Sequence, residues 1–327
     1  MPNPNRLGEH TIEVIVCTFN GEMFLSAQLK SILAQTHQVS VVSIHDDGST
    51  DNTLLLIEAF RGQFESAGIE YKFSKNPSNL GYAQNFSQAI ARSTCEIIFL
   101  CDQDDIWEPS KVAVMMQQFQ ATAVDMVFSD GVVVDISGKP FSGTSVLESY
   151  QLHSSKLIDF NRDPVRFLAR RNYVNGCAAA LRRRTALQAG PPPQGMPHDY
   201  WYALWCALHG GIIGLPDKLY KYRQHEHNAI GIGRNTFIHQ VFSIIRSPRP
   251  PRQRELDLLN RALDRLVFVS NPDLSLLREK LEWMNSIVGE PRRLWRFIRI
   301  FLSMAQGKYS TFGQPYSLLR DLVSCVR

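Results

Sequence analysis

The sequence predicts an α/β fold: a mostly parallel sheet flanked by helices, with a helical extension at the C-terminal end. Three observations predict it. Short apolar, β-branched runs alternate with segments of helical spacing over residues 12–128. Clusters of small, polar and acidic residues follow directly on those runs, where a parallel sheet presents its ligand-binding edge. Beyond Arg234 the charge changes sign and the pattern turns helical.

Taken in order, Ile12–Cys17 is the first strand, and Leu25, Leu29, Ile32 and Leu33 mark a helix behind it. Val39–Ile44 is the second strand, and Asp51 to Phe60 a helix that Asp51 can cap. Glu70–Ser74 is a third strand, Asn79–Ala91 a helix, and Glu96–Cys101 a fourth strand. Pro109 opens the next helix, where a missing N–H is harmless, and Met126–Phe128 is a fifth strand. Residues Pro140 to Gly195 read as irregular, with a Pro-rich stretch at Pro191–Pro193. A helix at His198–His209 and a strand near Gly211–Tyr222 follow. Arg254–Val267, Asp273–Ile287 and Arg292–Met304 are three helices of the extension. The expected division is residues 1–233 as the main domain and 234–327 as the extension.

With 327 residues and 44% hydrophobic composition the chain can bury a full core. The net charge of +4 is uneven: residues 234–327 hold 16 basic and 8 acidic side chains, the rest 19 and 23. A basic tail on an acidic body calls for an anionic partner. No nucleic-acid module accompanies the charge, so no nucleic-acid partner is expected. The six cysteines form no CxxC pair and read as reduced. Met1 to Glu9 is polar, and the longest apolar candidate, Leu294 to Ala305, is too short to span a bilayer and carries two arginines. A cytoplasmic protein is expected, free or lying on the inner membrane surface.

Five clusters carry chemistry. Cys17-Thr18-Phe19-Asn20 ends the first strand, where small groups beside an aromatic ring can hold a flat base, or simply turn the chain with Asn20 as cap. Asp46-Asp47-Gly48 ends the second and offers two carboxylates to a base N–H and a ribose hydroxyl; a turn and cap need fewer acids. Asp102-Gln103-Asp104-Asp105 ends the fourth. Three carboxylates there make a hard-oxygen site for Mg²⁺ or Mn²⁺ with phosphate oxygens, and without a cation they repel. Asp199, in His198-Asp199-Tyr200-Trp201 at a helix start, is either a cap or a general base. In the run Tyr222 to Asn228, Arg223 suits phosphate and His225 suits a metal or phosphate.

In this order the clusters resemble family 2 of the glycosyltransferases, with its GT-A nucleotide-diphospho-sugar-binding fold, over about residues 11 to 230. The resemblance implies that Cys17, Thr18, Phe19 and Asn20 contact the base with Asp46 and Asp47, and that Gly81 and Asn85 belong to the donor site. It implies that Asp102 and Asp104 hold metal and diphosphate with His225 and Arg223, and that Asp199 is the base of an inverting transfer. Gly176, Cys177 and Trp201 fall on the acceptor side. HDYW followed by YRQHEHN looks most like the rhamnosyltransferase-like branch, which implies dTDP-rhamnose beside UDP-sugars as donor. Tyr200 and Glu226-His227 depart from that branch's usual residues. The acceptor implied is a glycan or a polyprenyl-diphosphate-linked sugar.

Two other function classes compete. A nucleotidyltransferase needs a Gly-rich basic loop after the first strand, which CTFNGEMF lacks. A non-catalytic binding module would not need Asp102, Asp104 and Asp199 together. The arginines Arg292, Arg293, Arg296 and Arg299, interleaved with Leu294, Trp295, Phe297, Ile298 and Phe301, leave two readings of the extension. It lies on an anionic membrane surface, or it packs against protein.

Overall fold

The computed structural model describes residues 10–225, 251–266, 269, 271–313 and 317–326. Met1–Glu9, the Glu226-His227-Asn228 part of the last cluster, Val267 and the 233/234 boundary lie outside the described residues. The described chain divides into two compact units.

The first unit (10–161, 174–192 and 197–225) carries a nine-stranded sheet in the order β3-β2-β1-β4-β8-β6-β9-β5, with β7 paired to β6. Four strands form its parallel half: β1 (Ile12–Thr18), β2 (Val41–Asp46), β3 (Glu70–Lys75) and β4 (Ile97–Asp102). Strands β1, β2 and β4 are largely apolar because β1, β2 and nearly all of β4 are buried, while β3 at the sheet edge alternates between exposed and buried positions. Helices α1 (Leu25–Leu33), α2 (Thr53–Ser66) and α3 (Tyr82–Arg92) make the crossovers. Asp51 stands ahead of α2, and its Oδ1 accepts from the Thr53 amide at 3.0 Å. Helix α3 buries Asn85, Phe86, Ala89 and Ile90, one face at helical spacing. Full burial of Phe86 alone is worth about 2–3 kcal/mol.

The second half is mixed, which the strand–helix alternation did not foretell. Strand β6 runs Met126–Val134, three times the length expected, because Ser129-Asp130-Gly131 stays in the ladder while buried. Asp130 Oδ1 accepts from the Leu147 amide at 2.9 Å, so a carboxylate is tolerated inside. Residues read as irregular supply β7 (Pro140–Ser145) and β8 (Ala179–Arg182), both antiparallel to β6. Short β5 (Ile106–Trp107) pairs antiparallel with β9 (Ile212–Arg223). Helices α4 (Lys111–Ala121), α5 (Val146–Ser149), α6 (Ser154–Arg162), α8 (Arg183–Ala189) and α9 (His198–His209) complete this part of the chain.

The second unit holds α7 (Pro164–Arg170), with α10 (Pro251–Arg265), α11 (Leu274–Val288), α12 (Arg293–Ala305), α13 (Lys308–Phe312) and α14 (Ser317–Val326). Asp163 caps α7 through the Arg166 amide at 3.2 Å, with Pro164 in the first turn. A buried pair, Arg252 Nε to Asp321 Oδ1 at 2.5 Å, ties α10 to α14 over the Trp283 ring. No helix among the described residues is long and apolar enough to cross a membrane.

Candidate active site

Parallel register puts three loops side by side. Cys17 stands opposite Asp102 of β4, and Thr18 opposite Asp46 of β2. The chain therefore leaves β1, β2 and β4 at one edge of the sheet, where polar residues are free to turn outward. A cleft of about 330 Å³ opens there. That is at the small end of ligand cavities.

Cys17, Thr18, Phe19, Asp47, Gly81, Asn85, Asp102, Asp104, Gly176 and Asp199 line the cleft, ten positions singled out in the sequence. Gln103, Asn79, Tyr82, Phe86, Asn175, His198 and Tyr222 complete it. Six residues singled out in the sequence stand outside the lining: Asn20, Asp46, Cys177, Trp201, Arg223 and His225.

The β1 loop is held by an amide clamp that no local pattern announces. Gln103 Oε1 accepts from the Phe19 amide at 2.9 Å, and Gln103 Nε2 donates to the Phe19 carbonyl at 3.0 Å. Phe19 and Tyr82, both in the lining, are each left 42% exposed. Asn20, at φ 49°, accepts through Oδ1 from the Thr50 amide. Asp46 is buried in a turn, receiving the Thr18 hydroxyl and the amides of Gly48 and Ser49. Asp47 accepts from the amides of Leu80 and Gly81, both at 2.9 Å, and from Asn76 Nδ2 at 2.8 Å. Asn76 also donates to Asn85 Oδ1, and Asn85 donates to the His45 carbonyl. One carboxylate thus fixes the segment ahead of α3, where Gly81 takes φ 84°, a conformation open to glycine.

The acidic loop is braced from below. Arg223 is 5% exposed. Its backbone N donates to Asp105 Oδ1, its Nε to the Asp104 carbonyl and its Nη1 to the Ile136 carbonyl. His225 stacks on Phe24 and places Nε2 3.0 Å from Asp104 Oδ2. Behind the loop, Lys111 is fully buried. Its ammonium donates to the Cys177 carbonyl at 2.5 Å and lies over the rings of Trp107 and Tyr220. Burial pushes that amine down to about 8.

Burial, then the charges of Asp104, Asp105 and Asp199, push Asp102 well above the usual carboxylate range. Burial and the Asp104 charge raise Asp105 to about 7. One oxygen each of Asp102 and Asp105 lies with the Cys177 sulfur within 4.8 Å of one another. Asp105 Oδ2 is buried without a hydrogen-bond partner. Packed carboxylates and an unsatisfied oxygen fit a divalent cation, which would relieve their repulsion. The Cys177 thiol does not suit a hard cation: it is buried and raised well above its ordinary value. Asp104 Oδ2 and His225 Nε2, 3.0 Å apart, add an oxygen and a nitrogen donor on the neighbouring residue of the loop and at the end of β9.

Across the cleft, Asp199 is the second residue of α9 and 6% exposed; its Oδ1 accepts from the Tyr200 amide at 2.6 Å. Gly176 begins a short turn, Gly176–Ala178, against it. A Cβ at 176 would come 2.8 Å from His198 Nε2 and 3.9 Å from Asp199 Cβ, so glycine permits this approach. Trp201 is fully buried and donates to the Gly190 carbonyl, a core contact. His198 stacks on Phe86 at 4.2 Å, and neither of its ring nitrogens is hydrogen-bonded.

Burial lowers His198 to about 3, and burial with the Arg92 charge lowers His45 to about 4. Both are neutral in the folded chain and protonate near 6.5 when unfolded. The unfolded chain therefore binds more protons below that pH. This stability is fully present above pH 6.5 and is lost as pH falls toward the folded values. Going from pH 7 to about 5.5 should remove about 1 kcal/mol per histidine. Urea unfolding of the wild type and His45→Gln at the two pH values checks this: the variant should lose about 1 kcal/mol less.

A family model described as glycosyl transferase family 2 matches residues 13–190. An uncharacterized glycosyltransferase of Nostoc sp. is 32% identical over 134 residues, 41% of this chain and 40% of that protein. The dTDP-rhamnosyl transferase RfbG of Shigella flexneri is 38% identical over 100 residues, 30% of this chain and 34% of that protein. The chain thus spans well under two thirds of either relative. Among solved structures, S. aureus TarS 1-349 superposes with a TM-score of 0.57 at 13% identity, covering 96% of this chain and 88% of that one. The mannosyltransferase PcManGT from Pyrobaculum calidifontis, in complex with GDP-Man and Mn²⁺, gives 0.53 at 15%, covering 97% and 85%. These likenesses show the fold, which is GT-A.

Proposed function

This chain belongs to glycosyl transferase family 2, and from that premise we propose that it transfers a sugar from a nucleotide-diphosphate donor to a hydroxyl of a glycan or lipid-linked oligosaccharide, with inversion. One observation carries the reading. The acidic loop after β4 and the buried Asp199 face one cleft, with Gly176 packed close against His198 and Asp199.

Phe19 and the neighbouring Thr18 receive the base, with Asp47 holding the α3 entry loop that closes that side. Asp199 takes the proton of the acceptor hydroxyl as that oxygen attacks the anomeric carbon, and the bond to the diphosphate breaks in line. A bound Mg²⁺ or Mn²⁺, held by Asp104, His225 and Asp102, would supply a Lewis acid that offsets charge on the departing diphosphate. Arg223 keeps the carbonyl of Asp104 and the carboxylate of Asp105 fixed while this happens. The donor is dTDP-rhamnose or a UDP-sugar; the HDYW and YRQH clusters and the likeness to the Shigella enzyme favour rhamnose. All six cysteines are free, in keeping with a reducing, cytoplasmic setting for cell-surface polysaccharide synthesis.

Thermal unfolding with a panel of nucleotide sugars, each with and without Mn²⁺ or Mg²⁺, tests the reading. A rise in Tm of several degrees that needs both one donor and the metal is expected. No rise with any donor at millimolar concentration would count against it.

A further inference from the structure

We infer that α12 is a membrane-docking helix that lays an apolar face, edged by arginines, on an anionic lipid surface. The inference rests on which face the second unit leaves uncovered. Only Ile300 and Ser303 of α12 are buried. Leu294, Trp295, Phe297, Phe301, Leu302 and Met304 are 43–70% exposed. At ~100° per residue these six fall on an arc of roughly 180°, and the buried pair falls on the opposite side. The helix is therefore amphipathic with its apolar side outward, the reverse of a helix that docks by burying its apolar face. A run of large exposed apolar side chains on one helix marks an interaction surface.

Charge identifies the occupant. Helix α12 contains no acidic residue. Residues 290–305 contain four arginines, Arg292, Arg293, Arg296 and Arg299, and one acid, Glu290, a sequence charge of +3. Glu290 is nearly buried and takes Arg292 and Arg299 at 3.2 and 3.5 Å, yet those side chains remain 70% and 47% exposed. Arg292 also lies over the Trp295 ring, 5.5 Å from its centroid. Arginines flanking an apolar arc that contains a tryptophan match a lipid interface: the rings enter the acyl boundary and the guanidinium groups meet phosphates. A second copy of the chain is disfavoured, because a twofold contact on this face would set +3 against +3.

The test is flotation of the full chain with vesicles of phosphatidylcholine alone or containing phosphatidylglycerol, beside light scattering for its mass in solution. Binding to the phosphatidylglycerol vesicles, weakened by salt, is expected. The double variant Leu294→Asp/Phe301→Asp should weaken it by at least ~10-fold, and Arg292→Gln/Arg293→Gln should remove much of the lipid-charge preference. All four positions are exposed or precede the helix, and unchanged thermal unfolding verifies that the variants fold. Failure to bind the anionic vesicles, or binding that neither variant alters, overturns the inference. So does a solution dimer that the double aspartate variant dissociates, with no vesicle binding. Vesicle binding is read without sugar transfer, so the proposed activity and this surface fail separately.

Discussion

Asp199→Asn is expected to lower kcat for sugar transfer by roughly 10²- to 10⁴-fold while leaving donor affinity within about twofold. The substitution keeps the shape of the side chain. An asparagine Oδ1 can still accept from the Tyr200 amide, so α9 keeps its start. What disappears is the basic oxygen for the acceptor proton. The change also removes a negative charge that raises Asp102, so the acidic loop is not weakened as a donor site. The expected signature is therefore a fall in kcat without a rise in the KM for donor. Surviving transfer would remove Asp199 from the role of base. Parallel loss of donor binding would make it a structural residue of the cleft.

Asp104→Ala should act on binding instead. Asp104 Oδ2 is the partner of His225 Nε2, and Asp104 adds to the charge that raises both Asp102 and Asp105. Removing it takes away a ligand for the cation and leaves His225 without that partner. Donor binding should lose its dependence on Mn²⁺, and kcat/KM should fall by roughly 10²- to 10³-fold. The unliganded chain should be as stable as the wild type or more so, because one of three crowded carboxylates is gone. Calorimetric donor titrations with and without Mn²⁺, beside thermal unfolding, read both effects. A variant that binds donor with undiminished metal dependence would exclude Asp104 as a ligand.

Much of this architecture is legible in the sequence, and the reason is local. Strands β1, β2 and β4 are largely apolar runs because the sheet buries them on both faces, edge strand β3 alternates instead, and each polar cluster begins where a run ends. The parallel half and its loops follow from that pattern alone. Strand β8 does not, because Ala179–Arg182 is four residues long and becomes a strand through antiparallel partners on β4 and β6, far away in sequence. The same holds for Gln103, whose clamp on Phe19 joins residues 84 apart. No local pattern announces that Lys111 is buried; the aromatic walls of Trp107 and Tyr220 and the Cys177 carbonyl account for its ammonium. Periodicity could not orient α12, since an apolar arc of that width serves an inward or an outward face equally well. The exposure of Phe301 and Leu294 decides it.

The proposed transfer is a single displacement, with Asp199 as base and no covalent sugar–enzyme intermediate. The most direct measurement is the anomeric configuration of the product, read by NMR coupling constants during turnover of a donor of known configuration. Inversion is the predicted result. Retention would exclude a single displacement, since it would require a second displacement or a different geometry of attack in this cleft.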